Sequence, residues 1–185
     1  MNINLDIHQS VYREQLLEHL LIGDLLRYSW LHAGATPEVS QPSIDRSGHD
    51  VVLESNGVTR HVQLKSSSLT ATTATQKINV GLASKPSGCV IWTRFDRESM
   101  SLGPFMFFGG APGAPLPSLD TFPTAKHTKG NAAGVKIDRP NLRIVSKSKF
   151  QRIADICALH YALFGGEPSG NPRWNWTRAQ MPTRA

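Results

Sequence analysis

The stretch Gly48-His49-Asp50-Val51-Val52-Leu53-Glu54-Ser55-Asn56-Gly57-Val58-Thr59-Arg60-His61-Val62-Gln63-Leu64-Lys65 decides how the chain is read. Residues 49–54 and 59–65 are short runs rich in β-branched types, joined across Ser55-Asn56-Gly57. An Asn-Gly pair between two such runs marks a hairpin, because a tight turn there needs residues that tolerate positive φ. Along the second run Arg60, Val62 and Leu64 fall on one face and His61, Gln63 and Lys65 on the other, since side chains alternate across a strand. The first set is expected to meet the core and the second to line an open face. Asp50 opens the first strand and Lys65 stands on the second, so antiparallel pairing brings them onto neighbouring positions.

Upstream, Val11 to Ala33 repeats apolar residues at helical spacing: Leu16, Leu17, Leu20, Leu21, Leu25, Tyr28 and Leu31. Ser10 suits the N-cap and Gly34 the stop. The acids Glu18 and Asp24 interrupt this apolar pattern. A short extended segment, Thr36 to Gln41, ends at Pro42, and Asp45 to Gly48 reads as a turn. Downstream, residues 66–75 are rich in Ser and Thr and are expected as a flexible loop. Residues 76–84 fit a short helix or a strand. Cys89–Thr93 and Phe105–Phe108 read as strands. A Gly/Pro-rich loop spans 109–117, a basic one Lys126 to Pro140, and Arg143–Val145 is a short strand. Phe150 to Phe164 is a second amphipathic helix, ended by Gly165-Gly166. These elements predict an α/β fold with a central mixed β-sheet flanked by the first and last helices. They occupy one domain over 1–166, with a Pro-, Trp- and Arg-containing tail over 167–185.

A chain of 185 residues can bury a core without disulfides or structural metal. Hydrophobic residues at 39% and charged residues at 18% are globular rather than disordered usage. The net charge of +6 suits a polyanionic partner such as nucleic acid, although a modestly basic protein without one has the same balance. Cys89 and Cys157 stand in apolar patterns and read as core thiols, which fits a reducing, cytoplasmic setting. Residues 1–10 lack the basic start and apolar stretch of a signal peptide. No apolar run is long enough to cross a bilayer, so no membrane partner is expected.

A carboxylate beside a lysine is a workable start for cutting a phosphodiester. Magnesium takes hard oxygen ligands, usually one or two carboxylates with waters and substrate phosphate. Such an ion lowers the pKa of bound water, and a lysine orients that water or stabilises charge developing on phosphate.

A helix bearing an acid, then Gly48-His49-Asp50, an Asn-Gly turn and Val62-Gln63-Leu64-Lys65-Ser66 together resemble the PD-(D/E)XK nuclease superfamily. That superfamily includes restriction enzymes and Holliday-junction resolvases, and the likeness runs from Arg13 to Ser67. It implies a restriction-endonuclease-like core and hydrolysis of DNA phosphodiesters with Mg2+ or Mn2+. On this resemblance Asp50 is a metal ligand and Gln63 takes the position of the second acid. The Leu64 carbonyl reaches the metal, and Lys65 is the catalytic lysine. The helix acid is Asp24 or Glu18. Asp24 stands ten residues before Gly34, as in similar families, whereas Glu18 is an acid on an otherwise buried face. Gln63 departs from the pattern, because a neutral amide is a weaker ligand for a hard cation. It keeps open a nuclease-fold protein that has lost catalysis and binds nucleic acid or a protein partner.

Around this centre, His61, Ser66 and Ser67 are candidate phosphate contacts. Lys126, His127 and Lys129, with Lys136 and Arg139, form a basic loop that either follows a phosphate backbone or is simply solvated. Asp45 caps its turn or supports the metal from behind the ligands. Arg173, Trp174, Trp176 and Arg178 interleave aromatics with positive charge, as single-strand binders do, or dock on the domain or a partner. The resemblance also raises the expectation of a homodimer, common among similar enzymes that cut both strands.

Overall fold

A computed structural model describes residues 10–43, 48–128, 134 and 136–166. In chain order the elements are α1 (Ser10–Tyr28), a π-helical turn (Ser29–Ala33), β1 (Glu38–Ser40), β2 (Val51–Ser55), β3 (Val58–Ser68) and β4 (Thr75–Asn79). There follow a 3-10 turn (Val80–Ser84), β5 (Gly88–Phe95), β6 (Leu102–Gly109), β7 (Thr124–Lys126), β8 (Asp138–Ser146), a second 3-10 turn (Lys147–Lys149), β9 (Gln151–Ile153) and α2 (Ile156–Phe164).

The hairpin forms as its turn dictates. Asn56 and Gly57 take φ of 53° and 75°, and Ser55 pairs with Val58, so the loop has two residues with the twist that suits antiparallel strands. The central sheet has the order β1-β2-β3-β5-β6-β9. It is mixed, because β3 and β5 run parallel while every other neighbouring pair is antiparallel. A second sheet has the order β4-β8-β7.

These elements stack in three layers. On one face of the central sheet, Leu21 and Leu25 of α1 and Leu159 and Leu163 of α2 pack on Val62, Ile91 and Phe107. On the other face, Ile78 and Val145 of the small sheet pack with Val90, Trp92, Phe108 and Phe150. Every residue of β5 is buried, as the apolar run Cys89–Trp92 suits a strand covered on both sides, and Thr93 and Arg94 are buried with it. Burial pushes the Cys89 thiol up to about 12, so this cysteine is an inert core residue. Cys157 is half-buried, with its Sγ 3.0 Å from the Tyr28 hydroxyl.

Arg60 is the largest departure from hydrophobic patterning. It lies on the apolar face of β3 and is 0% exposed. Its Nε donates to the Leu163 carbonyl at 2.8 Å, and its terminal nitrogen to Ala162 and Gly110 carbonyls at 2.9 and 3.1 Å. A cation thus satisfies the last carbonyls of α2, at the negative end of its dipole. Burial lowers the guanidinium pKa from its usual value.

Several expectations are corrected. The α-helix stops at Tyr28 and widens into a π-helical turn up to Gly34, where the Ser29 hydroxyl bonds back to the Leu25 carbonyl at 2.8 Å. Ser66, Ser67 and Ser68 are strand rather than flexible loop, because each pairs with β5, opposite Thr93, Arg94 and Phe95. Residues 75–79 form a strand and 80–84 a 3-10 turn. The short strand expected at 143–145 is part of nine-residue β8. Residues 151–153 form an edge strand beside β6, and α2 begins only at Ile156, where the Asp155 carboxylate accepts the Ala158 N–H at 2.9 Å. The face carrying His61, Gln63 and Lys65 is not open along its length, since the small sheet roofs much of it. Among the described residues no helix is long and apolar enough to cross a membrane. The tail over 167–185 lies outside the described residues.

Candidate active site

The cleft exists because two paired strands have unequal length. Strand β2 begins at Val51, opposite Val62, whereas β3 continues to Ser68 alongside β5. Beyond Val62 the β2 side of β3 therefore carries no strand partner among the described residues. Asp50 stands at this step. Its N–H donates to the Val62 carbonyl at 2.8 Å, and its Oδ2 accepts the Leu64 N–H at 2.5 Å. Within a strand the N–H and C=O of one residue point to the same edge. The Leu64 carbonyl is thus directed to the edge where the Asp50 carboxylate sits.

A cleft of about 300 Å³ opens here. Helix α1 supplies Glu14, Leu17, Glu18 and Leu21, which share one helix face at spacings of three and four. Asp50, Leu64, Lys65 and Ser66 line the sheet side, with Gln76 and Thr93 completing the wall. Glu18 accepts a hydrogen bond from Gln41 Nε2, which ties the helix to the segment after β1. Lys65 is half-buried, and its amine has no hydrogen bond or ion pair with any described residue. The cleft thus gathers Glu14, Glu18, Asp50 and Lys65 in one wall, with the lysine in no ion pair among the described residues.

Gly48 helps to seat Asp50. At φ 73° a Cβ there would lie 2.1 Å from the Asn79 Cβ, so only glycine lets the approach to β2 rest against the end of β4. The Asn79 N–H in turn donates to Gln63 Oε1 at 3.3 Å.

The structure separates residues that the sequence grouped. Asp24 does not reach the cleft. It pairs with Arg27 at 2.6 Å and lines a different depression with Tyr28, Leu102 and Asp155. Burial raises its carboxyl above the usual range, opposed by Arg27. The physical reason is helical rotation: six positions turn a side chain by about 600° at ~100° per residue, well off the face of Glu18. Gln63 does not line the cleft either. It is 6% exposed and turned into the seam between the two sheets, where Asn79 occupies its oxygen.

His61 contacts the Pro86 carbonyl at 2.8 Å through Nδ1 and meets the His49 ring edge-on at 5.1 Å, so it braces the turn before β5. Ser66 lines the cleft, but Ser67 does not. The Ser67 hydroxyl oxygen accepts from Trp92 Nε1 and from Arg94, each at 2.7 Å. Lys126, His127, Lys136 and Arg139 are exposed at the far end of the β7–β8 hairpin, where Lys126 lies 3.9 Å from Asp138. Val145, opposite Gln76, lies two positions beyond Arg143, which pairs with Thr124, so about four strand steps, or roughly 13 Å at about 3.3 Å per residue, separate its level from that of Lys126. None of these four residues lines the cleft, and they stand toward the opposite end of β8 from Gln76. Asp45 and Lys129 lie outside the described residues.

Glu14, Gln41, Gln76 and Thr93 belong to the site and escaped the sequence reading. Glu14 was within reach, since it precedes Glu18 by one helical turn. Gln76 and Thr93 had no local signal, because the crossover from β3 to β5 brings them in. Among the described residues, no group of three or more His, Cys, Asp or Glu side chains is placed to hold a metal ion. No protein-family model matches the chain, and no curated protein or solved structure does either.

Proposed function

We propose that the chain is a metal-dependent nuclease of the PD-(D/E)XK type, with a restriction-endonuclease-like core, that hydrolyses DNA phosphodiester bonds. The observation that carries this reading is one cleft lined by the Asp50 carboxylate, the Leu64 backbone and the Lys65 amine, with Glu18 also in its wall. The donor set fits Mg2+ or Mn2+, which take hard oxygen ligands and bind through as few as one or two carboxylates. Asp50 and the Leu64 carbonyl would hold the ion, with Glu18 as the helix acid. When bound, it supplies a water of lowered pKa and neutralises phosphate charge. Lys65 contributes a fixed positive charge that orients the attacking water or stabilises the phosphate as charge develops. Gln63 acts behind the site, holding the β4 end against the Asp50 turn.

The test is incubation of supercoiled plasmid and oligonucleotides with the protein in Mg2+, Mn2+ or chelator. Cleavage that stops in chelator and in Lys65→Met supports the reading. A second reading is favoured by the engagement of Gln63 with Asn79 and by the small number of grouped acids. There the chain binds nucleic acid or a protein partner without cutting. DNA binding without cleavage in either metal supports that reading and rejects the first.

A further inference from the structure

From Arg139 to Ala154 the chain carries Arg139, Arg143, Lys147, Lys149 and Arg152 and no acid. This run passes the cleft wall at one point. Val145 pairs with Gln76, and the Lys147 N–H donates to the Ala74 carbonyl at 2.8 Å, just before β4. Lys147 is thus two residues from the wall residue's partner, roughly 7 Å of chain at about 3.3 Å per residue. The far side of the turn is anchored as firmly. Phe150 packs edge-on against Trp92 at 5.4 Å, and Trp92 is the β5 neighbour of Lys65. Lys147 and Lys149 are exposed and form no ion pair with any described residue. Arg143 differs, since its guanidinium is spent on the Pro140 carbonyl at 2.7 Å.

We propose that the 3-10 turn Lys147–Lys149 is the surface that grips the phosphate backbone of a DNA duplex whose scissile bond enters the cleft. The inference rests on the nuclease reading for the choice of polymer. The contact is electrostatic and independent of base sequence, as contacts from exposed lysines to phosphate are. It replaces the Lys126–Arg139 loop as the cationic flank of the site. Lys126 and Arg139 lie toward the other end of β8 from Gln76, and Lys126 already faces Asp138.

The test measures binding of a labelled DNA duplex in chelator, where no cleavage intrudes, across a salt series. Lys147→Gln/Lys149→Gln is expected to weaken binding about tenfold or more near 0.1 M salt. It should also flatten the slope of log K against log salt by about 1.8, the contribution of two phosphate contacts. Lys126→Gln/Lys136→Gln is expected to stay within about twofold of the parent. Each single lysine variant should show about half the change in slope, which keeps the test readable if the double variant folds poorly. Three results overturn the proposal: an unchanged slope in the Lys147/Lys149 variants, an equal loss in the Lys126/Lys136 control, or no binding by the parent chain. Parent binding that depends on Lys147 and Lys149, without cleavage in either metal, would sink the nuclease reading and leave this surface standing.

Discussion

The Asp50 carboxylate receives the Leu64 N–H at 2.5 Å, so a side chain supplies the next rung of the β2–β3 ladder where backbone pairing ends. One residue thereby terminates the hairpin and puts a negative charge at the mouth of the cleft. The structural and chemical roles can be separated, because an amide oxygen accepts the same hydrogen bond without the charge.

Asp50→Asn is expected to keep its melting temperature within a few degrees and to lose about a hundredfold or more in plasmid cleavage. Asp50→Ala should lose the same activity and also about 1 kcal/mol of stability, through the unpaired Leu64 N–H. Cleavage at the parental rate by Asp50→Asn would show that the charge is dispensable, against the metal-ligand role.

Gln63→Glu separates a ligand from an inter-sheet tie. Were the side chain a ligand, restoring the acid would tighten metal binding and raise cleavage. In the seam beside Asn79, a carboxylate is desolvated instead, at a cost of about 1–3 kcal/mol. The expected outcome is a lower urea midpoint with no gain in the Mg2+ dependence of cleavage. Higher activity at lower metal concentration would contradict the placement of Gln63.

Arg60→Met should destabilise the protein by about 3 kcal/mol. It leaves the Leu163 and Ala162 carbonyls without their charged donor and α2 without its terminal cation. Amide exchange should accelerate in α2 before it does in β5. Uniform exchange across both elements would mean that α2 does not depend on this contact.

His160 sets an acid limit on stability. It is 5% exposed, lies 5.1 Å from the rings of both Tyr28 and Phe164, and has an Nε2 with no hydrogen-bond partner among the described residues. Burial lowers its pKa from 6.5, so the unfolded chain takes up a proton at a higher pH than the folded one. Stability therefore falls with decreasing pH, starting near the unfolded value and continuing until the native pKa is passed. The slope is at most about 1.4 kcal/mol per pH unit in that window. Denaturation of His160→Phe between pH 7.5 and 5 should show a shallower decline than the parent. Parallel curves would assign the acid sensitivity to other groups.

The hairpin was legible because everything it needs is local. Asn56 and Gly57 take positive φ, and alternation from Thr59 to Lys65 sorts the side chains by face. The α/β class and the mixed sheet followed from the spacing of the runs. Edges were less legible. Ser66–Ser68 has loop composition, yet pairing with β5 and the bonds from Trp92 and Arg94 to Ser67 hold it in the sheet. The segment 150–154 has helical periodicity, yet Ile153 pairs with Phe105 and the helix waits for the Asp155 cap.

The primary structure by itself determined the turn, the alternation along β3, the helical character of α1 and, through the register that the turn sets, the neighbourhood of Asp50 and Lys65, since each depends on one continuous local stretch. Tertiary structure alone decided that Glu18 rather than Asp24 faces the cleft, that Gln63 is taken by Asn79, and that the end of β8 leading to Lys147, rather than the end bearing Arg139, runs beside Gln76. Each of these turns on how a helix is rotated or how a second sheet is registered against the first. Such relations arise from contacts between distant segments, and no local spacing encodes them.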